Sequence, residues 1–248
     1  MPMYKVFGQS ESRGGNLMAV SEVAENPAGS GMPVVVVISA SQTADWRFRF
    51  FYPDSKEAPI CGHALLGAAY HLPSSAFRVE TGSGISDVRK DGDLVSVSMS
   101  LPVEVAPSFR ELPEARWFGL MSHQIRSQGI FSAGKAKWCI QLDTLDALNA
   151  VQFDIEALAS WNQGKNFSGY ILYAITEQGL YARASNPLFN IPEDVACAVC
   201  CAALPIALTT PKVVYMGFPA YANAIHLHAV EGQLWVGGRV FPATAQRI

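Results

Sequence analysis

Glu57-Ala58-Pro59-Ile60-Cys61-Gly62-His63-Ala64-Leu65-Leu66-Gly67-Ala68-Ala69-Tyr70-His71-Leu72 is the stretch on which the reading of this chain turns. From His63 to Leu72 it has no polar face, so the helix it predicts is buried on every side and wrapped by other elements. Its Ala and Gly residues let those elements come close. A second run of the same kind, Ala196-Cys197-Ala198-Val199-Cys200-Cys201-Ala202-Ala203-Leu204, follows Glu193-Asp194-Val195. Each helix starts at a cysteine with acidic residues just ahead of it. A thiol placed there faces unpaired backbone N–H groups and the positive end of the helix dipole, which lower its pKa and favour an anion beside it.

Outward from these two helices the chain reads as strands. Alternating or β-branched runs mark Tyr4–Phe7, Val34–Ile38, Arg47–Phe51, Phe77–Thr81, Ser86–Arg89 and Leu94–Ser100, then Trp138–Leu142, Tyr170–Ile175, Leu180–Ala184, Lys212–Met216, Ile225–Val230 and Gln233–Val236. Lys90-Asp91-Gly92-Asp93 and Glu231-Gly232 predict hairpin turns, hence antiparallel pairing. Leu145–Ala150 and Ile155–Trp161 predict surface helices, the second opened by Asp154 as N-cap. The expected fold is α+β, with two pseudo-symmetric lobes, each a mostly antiparallel, barrel-like curved sheet around a central buried helix. Pro102, Pro107 and Pro113 place the boundary between Ser100 and Arg116, giving lobes 1–105 and 106–248, with the C-terminal strand free to return to the first lobe.

Charged residues make up 16% of the 248 residues and apolar ones 50%, against about 25% charged in an ordinary domain. Polar surface is therefore scarce, and a homodimer is expected. A net charge of −3 without any Lys/Arg run speaks against nucleic acid and against anionic membrane as partners. The longest apolar stretch, Val195 to Leu208, is too short to span a bilayer and contains Pro205. No signal pattern opens the chain, and five cysteines make an odd count, so reduced thiols and a cytoplasmic location are expected.

Some residues read two ways. Cys61 and Cys197 are either small buried hydrophobes or reactive thiols. His63 either satisfies backbone groups at a helix start or relays a proton, and Asp194 either caps a helix or serves a site. Asn16 either stabilises the turn after Gly14-Gly15 or lines a binding cleft. Glu57 reads as a surface-loop carboxylate. Cys197 and Cys200 have the spacing of a redox or half-zinc motif, without further ligands or a thioredoxin-like context. His226 and His228 alternate on one strand without a third ligand near in sequence, so no metal and no cofactor is expected.

At these residues the sequence resembles the PhzF-like (phenazine biosynthesis-like) family, within the diaminopimelate epimerase and proline racemase superfamily. The matching pieces span nearly the whole chain: Gly15-Asn16-Leu17-Met18-Ala19-Val20, Arg49-Phe50-Phe51-Tyr52-Pro53 running into Ala58-Pro59-Ile60-Cys61-Gly62-His63-Ala64, Glu80-Thr81-Gly82-Ser83-Gly84, Asp143-Thr144-Leu145-Asp146-Ala147-Leu148, Glu193-Asp194, and Val236-Gly237-Gly238. The resemblance implies a diaminopimelate epimerase-like fold with the active site in the cleft between its lobes. Three departures accompany it. Pro33 stands where the family's catalytic Glu is expected, after a shortened helix, and Cys197-Ala198-Val199 replaces Thr-Gly-Ser, whose amides hold the substrate carboxylate. Tyr221-Ala222-Asn223-Ala224 likewise stands in place of Gly-Arg-Pro-Ser. In the epimerase and racemase branch, however, Cys61 and Cys197 fall on the two catalytic cysteines.

The expected function is therefore a cofactor-independent isomerase or epimerase of a small carboxylate-bearing metabolite, working by proton abstraction and return. Cys61, His63, Asp194 and Cys197 are the expected catalytic residues, and Asn16, Gly62, Ala198 and Val199 the substrate-binding ones. The alternative is a catalytically silent relative that binds a small acid or a partner protein.

Overall fold

The structure is a computed structural model that describes residues 1–21, 31–54, 56–209 and 212–244. The shortened segment expected before Pro33 falls at 22–30, outside the described residues. The chain divides into two compact units, Met1–Ser98 with Trp235–Ile248, and Met99–Leu234.

The first unit contains β1 (Met3–Val6), β2 (Asn16–Ser21), β3 (Val35–Ser39), β4 (Trp46–Phe51), β5 (Glu57–Ala58), α1 (Gly62–His71), β6 (Ala76–Thr81), β7 (Gly84–Asp91) and β8 (Leu94–Ser100). β1 pairs antiparallel with β2 and with the C-terminal strand Gln233–Ala243. β2 runs parallel to β3, β3 antiparallel to β4, and β4 parallel to β6. β6, β7 and β8 form an antiparallel meander, and β8 pairs back onto the C-terminal strand. Among the described residues these pairings close a ring, which leaves no unpaired edge.

α1 supplies the core that a closed ring requires. Ala64, Leu65, Leu66, Gly67, Ala68 and Ala69 are buried, and full burial of Leu65 and Leu66 is worth about 1.5–3 kcal/mol each. Gly67 marks the tightest approach: a Cβ there would stand 2.5 Å from Met18 Sδ on β2 and 3.2 Å from Val6 on β1. The C-terminal end of α1 is held by Tyr4, whose hydroxyl lies 2.8 Å from His71 Nδ1. The Lys90 ammonium on β7 donates to the Leu72 carbonyl just beyond the helix, a favourable place for a cation.

The second unit contains β9 (Val103–Glu104), β10 (Ile125–Ser132), β11 (Ala136–Leu142), α2 (Leu145–Ala150), α3 (Ile155–Asn162), β12 (Tyr170–Thr176), β13 (Gly179–Asn186), β14 (Ile191–Asp194), α4 (Ala198–Ala202), β15 (Lys212–Met216) and β16 (Asn223–Val230). β9 pairs antiparallel with β10 and β10 with β11, while β11 runs parallel to β12. A parallel pair needs a crossover, which α2 and α3 provide. Thr144 and Asp154 cap these two helices, each accepting from the backbone N–H three residues on. Trp138, Ile140 and Leu142 on one face of β11 join Leu148, Leu158 and Tyr170 in the core under these helices. The other face of β11 carries Lys137 and Cys139, and the Cys139 thiol lies 3.6 Å from the Ala203 carbonyl after α4.

One order of strands occurs in both units. In the first, β1 is antiparallel to β2, β2 parallel to β3, β3 antiparallel to β4, β4 antiparallel to β5 and parallel to β6, and β6 antiparallel to β7. In the second, β10, β11, β12, β13, β14, β15 and β16 repeat that sequence of relations. The buried helix occupies the same place each time, after the short strand and before the next parallel one.

The second apolar helix is shorter than the expected Ala196–Leu204. Cys197 is its N-cap and α4 ends at Ala202. Pro205 is the cause: it drives Leu204 to φ −63 and ψ 128 and opens a separate short turn at Pro205–Leu208. Both predicted turns are present, with Gly92, Glu231 and Gly232 at positive φ. Among the described residues no helix is long and apolar enough to cross a membrane.

The repeat extends to one ion pair. Arg49 on β4 forks onto Glu57 of β5, with Nε to Oε1 at 2.9 Å and a terminal nitrogen to Oε2 at 2.6 Å. Arg183 on β13 forks onto Glu193 of β14 at 2.9 and 2.7 Å. The Arg183 side chain is 6% exposed and also donates to the carbonyls of Leu148, Asn149 and Val151 at the end of α2, whereas the Arg49 side chain is 40% exposed. Burial separates the two in energy. Arg183→Gln should lower unfolding stability by about 3–5 kcal/mol, because it strands Glu193 and three carbonyls. Arg49→Gln should cost less than about 1 kcal/mol. Urea titrations of both variants check this, and equal losses would contradict it.

Candidate functional site

The register of the two short strands sets the position of both cysteines. Phe50 faces Ala58, and Ala184 faces Asp194. Cys61 and Cys197 each follow three residues later, at the turn into the helix, and four residues after the Glu that the arginine grips. Extended backbone at each cysteine, φ −137 and ψ 110 at Cys61 and φ −110 and ψ 95 at Cys197, makes each the N-cap of its helix.

In the first unit the Cys61 sulfur lies 3.6 Å from His63 Nδ1. Burial by itself would raise the Cys61 pKa. The positive His63 ring, the hydrogen bonds from that ring and from the Ala64 N–H, and the Tyr52 hydroxyl outweigh it and hold the thiol below its ordinary range. Gly62 and His63 open α1, where backbone N–H groups have no partner within the helix. Asn16 opens β2 opposite Val6, after Gly14 and Gly15 at φ 77 and 95. Glu57 is not the surface-loop carboxylate expected: it lies on β5, and the hydrogen bond from Arg49 holds its carboxylate below the usual range. Pro33 is exposed ahead of β3.

In the second unit the Asp194 carboxylate accepts from the Ala196 N–H at 3.1 Å. It therefore shapes the turn ahead of α4, while Cys197 takes the N-cap that Asp194 was free to occupy. Ala198 is buried and Val199 half-buried, in a helix of five residues, too short for a developed macrodipole. The Cys197 sulfur donates to the Cys200 sulfur at 2.7 Å. That hydrogen bond, together with burial, pushes the Cys197 thiol well up. The same bond holds Cys200 low against its burial, helped by the Lys137 ammonium.

Several residues around these thiols carry no sequence signal of a site. Lys137 is 2% exposed and donates to the Ser168 carbonyl at 2.6 Å. Its one clue is a lysine at the start of an otherwise apolar strand. Asn223 donates to the Val195 carbonyl at 2.9 Å and so braces the loop between Asp194 and Cys197. Among the described residues no cluster of His, Cys, Asp and Glu has a metal-binding arrangement.

Comparison with known proteins agrees with the fold. Residues 10–218 match the family model for phenazine biosynthesis-like proteins. The chain is 29% identical over 178 residues to an uncharacterized isomerase of Clostridium acetobutylicum, an alignment that covers 63% of this chain and 58% of that protein. It is 29% identical over 153 residues to the diaminopimelate epimerase of Archaeoglobus fulgidus, covering 56% of this chain and 51% of that one. The chain thus spans just over half the length of the curated relatives it matches. The crystal structure of a PhzF-family phenazine biosynthesis protein from Enterococcus faecalis superposes with a TM-score of 0.76 at 18% identity, over 98% of this chain and 97% of that one. On the match across most of its length, this chain belongs to the phenazine biosynthesis-like (PhzC-PhzF) family.

Proposed function

We propose that this protein is a cofactor-independent isomerase or epimerase that removes and returns a proton beside the carboxylate of a small amino or hydroxy acid. The observation that carries the reading is the opposite dressing of two thiols at equivalent places in the repeat. Cys61 sits beside His63 and is held low; Cys197 gives its hydrogen bond to Cys200 and is held high. Groups whose environments push their pKa values apart are suited to base and acid roles. Cys61 as thiolate is the base, Cys197 as thiol is the acid, and His63 keeps Cys61 ionised. The amides of Gly62, with those of Ala198 and Val199, and the Asn16 side chain are the proposed carboxylate ligands. They would stabilise the enediolate-like charge that builds up as the proton leaves. Asp194 shapes the turn that presents Cys197.

The names of the relatives, an isomerase and an amino-acid epimerase, support this class of reaction. A cytoplasmic homodimer goes with the same reading, on the scarcity of charged residues. A second reading, a silent carboxylate-binding protein, draws on Pro33 in place of the family's Glu and on Ala198-Val199 in place of Gly-Ser.

Exchange of the α-hydrogen for deuterium, followed by proton NMR over a panel of short amino and hydroxy acids in D2O, separates the two. Exchange into at least one acid is expected, with a loss on the order of 10²–10⁴-fold in Cys61→Ser. Undiminished exchange by the Cys61→Ser/Cys197→Ser double variant would overturn the assignment, and thermal stabilisation by acids with no exchange would favour the silent reading. The pH dependence gives an independent check. Because the Cys61 pKa is lowered, its active thiolate persists to lower pH than an ordinary thiol allows and is lost as pH falls through that lowered value. The acid limb of the exchange rate should therefore lie below the ordinary thiol range, and His63→Gln should move it to higher pH. A limb unmoved by His63→Gln would show that the ring does not ionise Cys61.

A further inference from the structure

Five cysteines lie among the described residues, all free. The proton-transfer reading uses Cys61 and Cys197. Cys139 is buried, with its sulfur near the carbonyls of Lys137 and Ala203. Cys201 is fully buried and donates to Met216 Sδ at 3.4 Å. Cys200 has a different situation. It is 2% exposed, yet its sulfur is 2.7 Å from that of half-buried Cys197. Cys197 makes this possible because it is the N-cap: its extended backbone lets the side chain fold over the first turn of α4 onto the residue three positions on.

We propose that Cys197 and Cys200 form a reversible dithiol–disulfide pair, with Cys197 as the thiol that meets an external disulfide and Cys200 as the resolving thiol. Geometry and charge both carry it. Closing a disulfide needs a sulfur separation of about 2.05 Å, a contraction of well under one ångström from the present contact. Lys137, on the face of β11 that carries Cys139, places a buried ammonium where it favours a thiolate in this pair. The anion forms first at Cys200, and the Cys197 proton passes to it across the hydrogen bond as Cys197 attacks; Cys197 is the more exposed of the two, half-buried where Cys200 is 2% exposed.

The chemistry is thiol–disulfide exchange with a small-molecule disulfide, R–S–S–R. The Cys197 thiolate attacks one sulfur, forming a Cys197–S–S–R bond and releasing R–S⁻. The Cys200 thiolate then attacks the Cys197 sulfur, forming the Cys197–Cys200 bond and releasing the second R–S⁻. The two protons given up by the protein thiols end on the two released thiolates, and the two electrons lost by the protein reduce the small disulfide. Excess small thiol reverses both steps. The inference stands apart from the proton-transfer reading, since it concerns sulfur oxidation in the protein without substrate. If that reading also holds, oxidation withdraws Cys197 from the reaction.

The test is to treat the full chain with bis(2-hydroxyethyl) disulfide, block with N-ethylmaleimide and map the tryptic peptide that holds Cys197, Cys200 and Cys201. The expected result is a fall in maleimide uptake at that peptide from three to one, with fragment ions locating the link between Cys197 and Cys200, and recovery of three after dithiothreitol. In Cys200→Ser the expected product is a persistent mixed disulfide between Cys197 and 2-mercaptoethanol. Uptake that stays at three, a stable adduct on wild-type Cys197, or a link that joins Cys200 to Cys201 would each overturn the proposal. The wild-type peptide map decides it even if Cys200→Ser fails to fold, and Cys201→Ala, which should keep the link, provides the second variant.

Discussion

A two-strand register governs the chemistry of this chain. In each unit a long strand carries an arginine whose neighbour faces the end of a short antiparallel strand, and the arginine grips the Glu one residue earlier on that short strand. A slip of one residue would turn every side chain to the other face of the sheet. The ion pair and the ladder together therefore fix where the strand stops and where the next residues turn into a helix. Cys61 and Cys197 owe their N-cap positions to that geometry. The rest of each unit, with its parallel strand beyond the helix, encloses what the register has placed.

The same geometry is built with different energies. Arg49 and Glu57 share a fork in open solvent, where screening leaves a pair worth little. Arg183 is enclosed, stacks with its guanidinium 4.1 Å from the Phe218 ring centre, and also holds the last carbonyls of α2. The first unit depends instead on α1, whose small residues let β1 and β2 approach. In the second unit α4 is barely more than one turn, with its entry loop braced by Asn223, while the aromatic core about Trp138, Trp161 and Phe167 fills the other face of β11. The two thiols inherit this difference. Cys61 has a histidine and a full helix start beside it, whereas Cys197 has another thiol and a buried lysine.

Much of the fold was legible in the residues, and the reasons differ from element to element. An apolar run with no polar face can only be a buried helix, which located α1 closely. Asp154 at the head of a spaced apolar pattern marked α3, and its carboxylate caps the helix as expected. Alternation marked most strands but passed over β10, where Ile125-Arg126-Ser127-Gln128-Gly129 lacks a consistent apolar face and includes a register shift. It also passed over β14, four residues of mixed character held by pairing to β13. The end of α4 was misplaced because composition registers the apolar run through Leu204, while Pro205 acts backwards on the residue before it.

Sequence alone determined that two cysteine-headed apolar helices recur in a strand-rich chain, because local composition and periodicity decide whether a segment is a helix and whether it must be buried. It also marked Cys61, His63, Asp194 and Cys197 as residues to watch, through their place at helix starts and through family resemblance. Tertiary structure decided what surrounds them. That Glu57 belongs to Arg49, that Lys137 turns inward toward thiols, and that the Cys197 sulfur meets Cys200 follow from sheet register and from the direction of side chains across strands. Pairing between distant segments sets those features, and no local property of the sequence encodes them.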